Sequence, residues 1–229
     1  MSTSGTYNYN PSLGEITIYS YNLIGVRGTA LLQEHMEAAR MAANMMLGRW
    51  SSEGVNLWAV DLQTITLVQG TSTYTVLDNT VAMLDAYVTT GTGTNAINRL
   101  ILPISRTEYA SYPNKTQQGF PTTYWFDRLL APTVTLWPVP DGNEVSFSYY
   151  RVRQVQDSNL VNGQQVEIPY YFLEAFAYGL ALRLAMMWAP DKVQLLKPLA
   201  DESYDLAARQ NVETAQQYIS PMISSYFRA

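Results

Sequence analysis

Cysteine is absent from this 229-residue chain, and histidine occurs once. No disulfide framework and no thiolate metal site can therefore be built. Charge is also scarce. Asp, Glu, Lys and Arg make up 14% of residues, against roughly 25% in ordinary soluble domains. The balance is acidic, with 14 Lys and Arg against 19 Asp and Glu and a net charge of −5. That excludes the basic stripe a grip on nucleic-acid phosphate needs. No P-loop lysine motif and no GxSxG is found. The opening MSTSGTYNYN lacks a basic region followed by an apolar run, so it does not read as a secretory signal, and the cytosol is the expected place of synthesis.

What is present is apolar and aromatic: 47% hydrophobic residues, with 17 Tyr, 9 Met and 5 Trp. Tyr, Trp and Met are favoured where proteins meet and charge is depleted, so extensive subunit contacts are expected. The densest stretch is Ile168 to Ala189. Phe172, Phe176, Leu180, Leu184 and Trp188 recur every four residues, and Leu173, Ala177, Ala181 and Ala185 form a neighbouring row. A helix apolar nearly all round must be buried on most sides. A bilayer is not the place, because Glu174 and Arg183 lie inside the stretch and each costs roughly 2.5–3.5 kcal/mol near a bilayer centre. Ala175 with Gly179, and Ala177 with Ala181, would let another helix approach closely. One side is expected to pack on the helix of residues 29–53 and another to meet a neighbouring helix or subunit, and Arg183 is expected to have an acidic or carbonyl partner in the assembled state, since an unpaired buried charge is costly.

The remaining chain punctuates itself. Residues 1–11 read as an extended arm ending at Pro11. Ser12 and Glu15 have capping-box spacing, opening a helix to about Gly25. Thr29 is a candidate cap for a helix to about Glu53, with Leu32, Met36, Ala39, Ala43, Met46 and Trp50 as its buried stripe and Gly54 as its stop. From Val60 the period alternates. Leu62–Val68 and Tyr74–Leu77 flank Gln69-Gly70-Thr71-Ser72 and read as a hairpin. Further strands are expected over 81–89, 122–130, 133–137 and 144–153, with a helical turn at 105–110. Asp191 and Gln194 suggest a second capping box, opening a helix to about Asn211. Its face would run through Leu195, Leu199, Leu206 and Ala207, with a kink or fresh start at Pro198. The fold class is α+β: a helical-bundle core (near 12–25, 29–53, 168–189 and 191–211), a β-rich insertion over about 60–155, and extended terminal arms. The domain division is an arm at 1–11, a core of 12–59 with 156–211, the insertion at 60–155, and a tail at 212–229.

Candidate chemistry is thin. His35 beside Glu34 and Glu37 reads as a solvated helix face, because one imidazole falls short of a ligand set. Gly91-Thr92-Gly93-Thr94-Asn95-Ala96 matches the dinucleotide fingerprint literally, but the segment after it reads as extended where a helix would be required. Asp201, Glu202 and Asp205 read as a solvated face. No two carboxylates are marked as a glycosidase pair. Neither a catalytic residue, a metal ligand nor a cofactor is assigned. The tail after Glu213 carries Tyr218, Ile219, Met222, Ile223, Tyr226 and Phe227 with little charge, so it should dock on something.

Seven segments together resemble one family. They are MMLGRWSSEGVNLWAVD (Met45 to Asp61), LVQGTSTYTVLDNTVAMLDAYV (Leu67 to Val88), YWFDR (Tyr124 to Arg128), LWPVPDG (Leu136 to Gly142), SYYRVR (Ser148 to Arg153), IPYYFLEAFAYGLALRLA (Ile168 to Ala185) and LADESYDLAARQNVE (Leu199 to Glu213). In order and spacing, from about Leu13 to Glu213, they resemble head-to-tail adaptor proteins of short-tailed bacteriophages. The resemblance implies a non-enzymatic virion structural protein, assembled in the host cytoplasm as a dodecameric ring between portal and tail. Its implied partners are further copies of itself, the portal protein, a downstream tail or nozzle protein, and packaged double-stranded DNA passing through the channel without sequence-specific binding; no membrane is involved. The expected portal-docking residues are Tyr218, Ile219, Met222, Ile223, Tyr226 and Phe227. Those for helix packing or subunit contact are Phe172, Phe176, Leu180, Arg183, Leu184 and Trp188. The alternatives are a tail-tube or collar component, or a virion-associated cell-wall glycosidase.

Overall fold

A computed structural model describes residues 3–7, 9–54, 56–159 and 163–212. It is an α+β fold in which helices and strands gather around two separate apolar clusters.

The helices are α1 (Leu13–Leu23), α2 (Gln33–Ser52), the short α3 (Arg106–Ser111), α4 (Leu173–Trp188) and α5 (Val193–Gln210). At the start of α1, the Ser12 hydroxyl accepts from the Glu15 amide at 3.3 Å and the Glu15 carboxylate accepts from the Ser12 amide at 2.8 Å. The predicted cap of α2 is corrected. Thr29 sits in a separate 3₁₀ turn, Gly28–Ala30, and α2 begins only at Gln33. Its first turn is closed from inside, where His35 Nδ1 accepts from the Leu32 N–H at 3.2 Å. Leu32, assigned to the buried stripe, is therefore outside the helix and exposed.

Helix α4 is central to the first cluster. Gly179 lies against α2 so closely that a Cβ there would stand 2.7 Å from Met46 Sδ. On another side, Ser20 of α1 donates to the Ala177 carbonyl at 3.1 Å. On a third, α5 contributes Leu196, Ala200 and Ala207. The neighbours expected for α4 thus come from α1, α2 and α5 of the same chain. Trp50 joins them, with Phe172, Phe176 and Tyr204 around its ring at 5.4, 6.0 and 5.5 Å.

Two expectations for α5 fail. The Asp191–Gln194 capping box does not form; a 3₁₀ turn, Pro190–Lys192, leads into the helix instead. Pro198 does not restart it: the helix runs unbroken from Val193 to Gln210. Of the four residues of the predicted face only Ala207 is buried. Leu195, Leu199 and Leu206 are exposed, while Leu196, Ala200 and Ala207 are inside. Both rows have helical spacing; only the position of α4 chooses between them.

The strands are β1 (Val60–Thr66), β2 (Thr73–Thr75), β3 (Thr80–Thr90), β4 (Ile97–Pro103), β5 (Thr123–Asp127), β6 (Thr133–Trp137) and β7 (Glu144–Arg153), in spatial order β1-β7-β3-β4-β5-β6-β2. The predicted β1–β2 hairpin is wrong. β1 pairs antiparallel with β7, and β2 with β6, at opposite ends of the sheet. The turn residues are present, but Tyr74 uses its hydroxyl to hold the loop, donating to the Thr71 carbonyl at 2.9 Å and accepting from the Val68 N–H at 3.1 Å. Phe147, Tyr149, Ala86, Val88, Ile101, Tyr124, Val134 and Leu136 fill the second cluster.

Candidate interaction surfaces

The face formed by α2, α4 and α5 encloses an open pocket of about 390 Å³. Its apolar wall is Met46, Trp50, Ala175, Gly179, Leu182, Met186 and Ala200, and its polar groups are Arg49, Glu53, Arg183, Asp201 and Tyr204. Local geometry explains this mixture. Small residues at 175 and 179 let α2 approach α4, and the long side chains beyond them splay outward. Arg49 and Glu53, four apart on α2, form an ion pair. Burial raises the Tyr204 phenol to about 12, helped by a hydrogen bond with Glu53 and by that carboxylate's charge.

Arg183 is left over. It is half-buried, and its Nε, shielded from solvent, has no hydrogen-bond partner. Burial lowers its pKa, the positive charge of Arg49 lowers it further, and Glu53 opposes both. The expected acidic or carbonyl partner is not supplied by the described residues of this chain. Arg183 is thus a cation on the wall of an open pocket whose shielded Nε–H has hydrogen-bonding capacity to spare.

The other predicted contact residues of α4 are taken up within the chain. Phe172, Phe176, Leu180 and Leu184 are all but fully buried. Trp188 stacks on His35 at 4.2 Å and stays partly exposed. This corrects His35: it is 9% exposed, not on a solvated face, and Tyr21 meets its ring edge-on at 5.6 Å while donating to its carbonyl at 2.6 Å. The acidic residues Asp201, Glu202 and Asp205 are exposed. The fingerprint-like Gly91–Ala96 stretch is the β3–β4 turn. Gly91 has φ +74°, a Cβ there would meet the Asn95 carbonyl oxygen at 2.6 Å, and a strand follows. Tyr218, Ile219, Met222, Ile223, Tyr226 and Phe227 lie outside the described residues.

A polar network at the sheet was missed from sequence. Arg151, nearly wholly buried on β7, donates to both Asp61 oxygens (2.7 and 3.1 Å), to Asn79 Oδ1 (2.7 Å) and to Thr80 Oγ1 (2.9 Å). Arg153 pairs with Glu167 just before α4, tying sheet to helices. Arg151 and Arg153 flank buried Val152 at the end of a strand that carries Phe147, Tyr149 and Tyr150, and two arginines so close to apolar residues were the available signal.

Among the described residues no group of three His, Asp or Glu could hold a metal, and no helix is long and apolar enough to cross a membrane. The family model described as SU10 adaptor protein matches residues 28–224. The chain belongs to the SU10 adaptor protein family. Membership makes it a phage adaptor, a structural component of the virion whose role implies contacts with portal and tail proteins. It agrees with the family that the order of segments from Leu13 to Glu213 resembles. No curated protein matches the chain. For an adaptor, the face around Arg183 and the exposed leucines of α5 are surfaces on which association can be built.

Proposed function

We propose that this adaptor works as a dodecameric ring between portal and tail and helps retain packaged DNA, through association and without catalysis. In this reading residues 12–59 and 156–211 build the ring, 60–155 face the next tail component, and 212–229 dock on the portal through Tyr218, Ile219, Met222, Ile223, Tyr226 and Phe227. Acidity suits a channel through which DNA must slide without sticking.

Arg183 carries the reading. A shielded Nε–H without a hydrogen-bond partner weakens an isolated subunit, and it makes sense where a neighbour brings a carboxylate or carbonyl to the pocket. Sparse charge and the exposed Leu195, Leu199 and Leu206 of α5 point the same way. The test is to mix the full chain with purified portal rings and view the products by negative stain. A second ring stacked on the portal is expected, and a Gln216-to-end deletion should stay folded yet fail to join. Normal assembly of that deletion on portals refutes the docking assignment. Rings that form only with tail proteins favour a tail-tube or collar component.

A further inference from the structure

How would copies join side by side? This inference rests on the ring reading. The strands β1, β7, β3 and β4 form a strictly antiparallel unit; among the described residues the outer edge of β1 is unpaired, and that of β4 is taken by β5 only at Leu102 and Pro103. On β1, the Leu67 N–H that follows the strand bonds to Val145 of β7 at 3.0 Å. By alternation, Leu62, Thr64 and Thr66 turn their backbone groups away from β7. On β4, the Leu102 N–H bonds outward to Thr122 at 3.1 Å, so Asn98 and Leu100 also turn theirs away from β3. β5 pairs only with Leu102 and Pro103. Upstream of Thr122 the chain runs beside Val139 instead, with the Gly119 N–H on the Val139 carbonyl at 2.9 Å. Asn98 and Leu100 are left exposed, with outward backbone groups and no strand beside them.

The two edges are complementary. Because the unit holds an even number of alternating strands, β1 and β4 run in opposite directions. An identical copy placed alongside without being turned over therefore meets antiparallel. The faces agree as well. Thr64, Ser148, Tyr87 and Leu100 form one row across the sheet, so the outward-bonding residues of both edges send side chains to the same face. Leu62, Tyr150 and Leu100 are 44, 42 and 65% exposed there.

We propose that β4 of one copy pairs antiparallel with β1 of the next, extending the sheet around the ring. Asn98 and Leu100 exchange about four backbone hydrogen bonds with two of Leu62, Thr64 and Thr66. The contact uses two different surfaces, so it is heterologous, the type that forms a ring when the rotation between copies closes.

The absence of cysteine makes the test clean. Leu100→Cys in one full-length chain is combined with Leu62→Cys, Thr64→Cys or Thr66→Cys in another, the chains are assembled with portal, and they are oxidised. Within one chain β4 and β1 stand three strand spacings apart, about 14 Å, too far for a disulfide. A cross-linked dimer is expected for one of the three mixtures and for no variant alone. Assembled rings with no cross-link in any mixture, or cross-linking of L100C by itself, overturn the proposal. As a second arm, L100P deletes the outward N–H without removing a hydrogen bond inside the chain. It should melt like the parent while ring yield falls at least tenfold. Normal ring yield from L100P overturns the edge pairing alone. A parent chain that forms no ring even with portal overturns the ring reading, and the edge pairing with it.

Discussion

Replacing Arg151 with Met is the sharpest probe of the sheet. Met keeps an apolar stem of similar length and removes the guanidinium. Four hydrogen bonds disappear, two to Asp61 and one each to Asn79 and Thr80. Breaking a buried ion pair by removing one partner costs about 3–5 kcal/mol. Asp61 is 35% exposed, so water partly compensates it, and the expectation falls to about 2–3 kcal/mol. For a chain of this size about 2–4 °C accompanies each kcal/mol, so Tm should drop by roughly 5–10 °C. R151K should recover only part, because an ammonium cannot reproduce the fork. The pH dependence supplies an independent check. Arg151 is the main cause holding Asp61 below its ordinary 3.8. That stabilisation is fully present above the ordinary value and is lost as pH falls through the lowered folded one. Parent and R151M should therefore converge in strong acid. Urea titrations at neutral pH and at pH 2–4 measure both effects. A loss under about 0.5 kcal/mol at neutral pH, or a gap that widens in acid, would refute the reasoning.

Other outcomes follow from the helices and the second ion pair. R183M should leave the isolated subunit as stable as the parent or slightly more so, by urea titration, because it removes a desolvated cation; the same variant should lose ring yield with portal. Gly179→Leu should cost about 2 kcal/mol or more by overpacking against Met46, and Met46→Ala should restore part of it in a double-mutant cycle. Arg153 is the main cause lowering the Glu167 pKa from its usual 4.5. Glu167→Gln should therefore destabilise at neutral pH, with the difference fading as pH falls through the lowered value, read by thermal melts across pH.

Legibility from the sequence followed the range of the forces involved. The capping box at Ser12, the strands at 133–137 and 144–153, and the close approach at Gly179 are written in adjacent or periodic residues, and the structure repeats them. The β1–β2 hairpin misled because suitable turn residues permit a hairpin without choosing the partner strand; β7 lies some eighty positions away and offers β1 a longer match. His35 was misplaced because its burial comes from Trp188, remote in sequence. The partner of Arg151 was equally hidden, since nothing near either residue ties 61 to 151.

Composition and local pattern by themselves determined the α+β class, most element positions, the lack of cysteine chemistry and the family resemblance, because each depends on residue type and short-range spacing. Only the tertiary structure decided which of two apolar rows of α5 is buried, which strands are neighbours, and that Arg183 has no hydrogen-bond partner among the described residues of its own chain. Those outcomes depend on where distant segments meet, and one-dimensional periodicity carries no term for that distance.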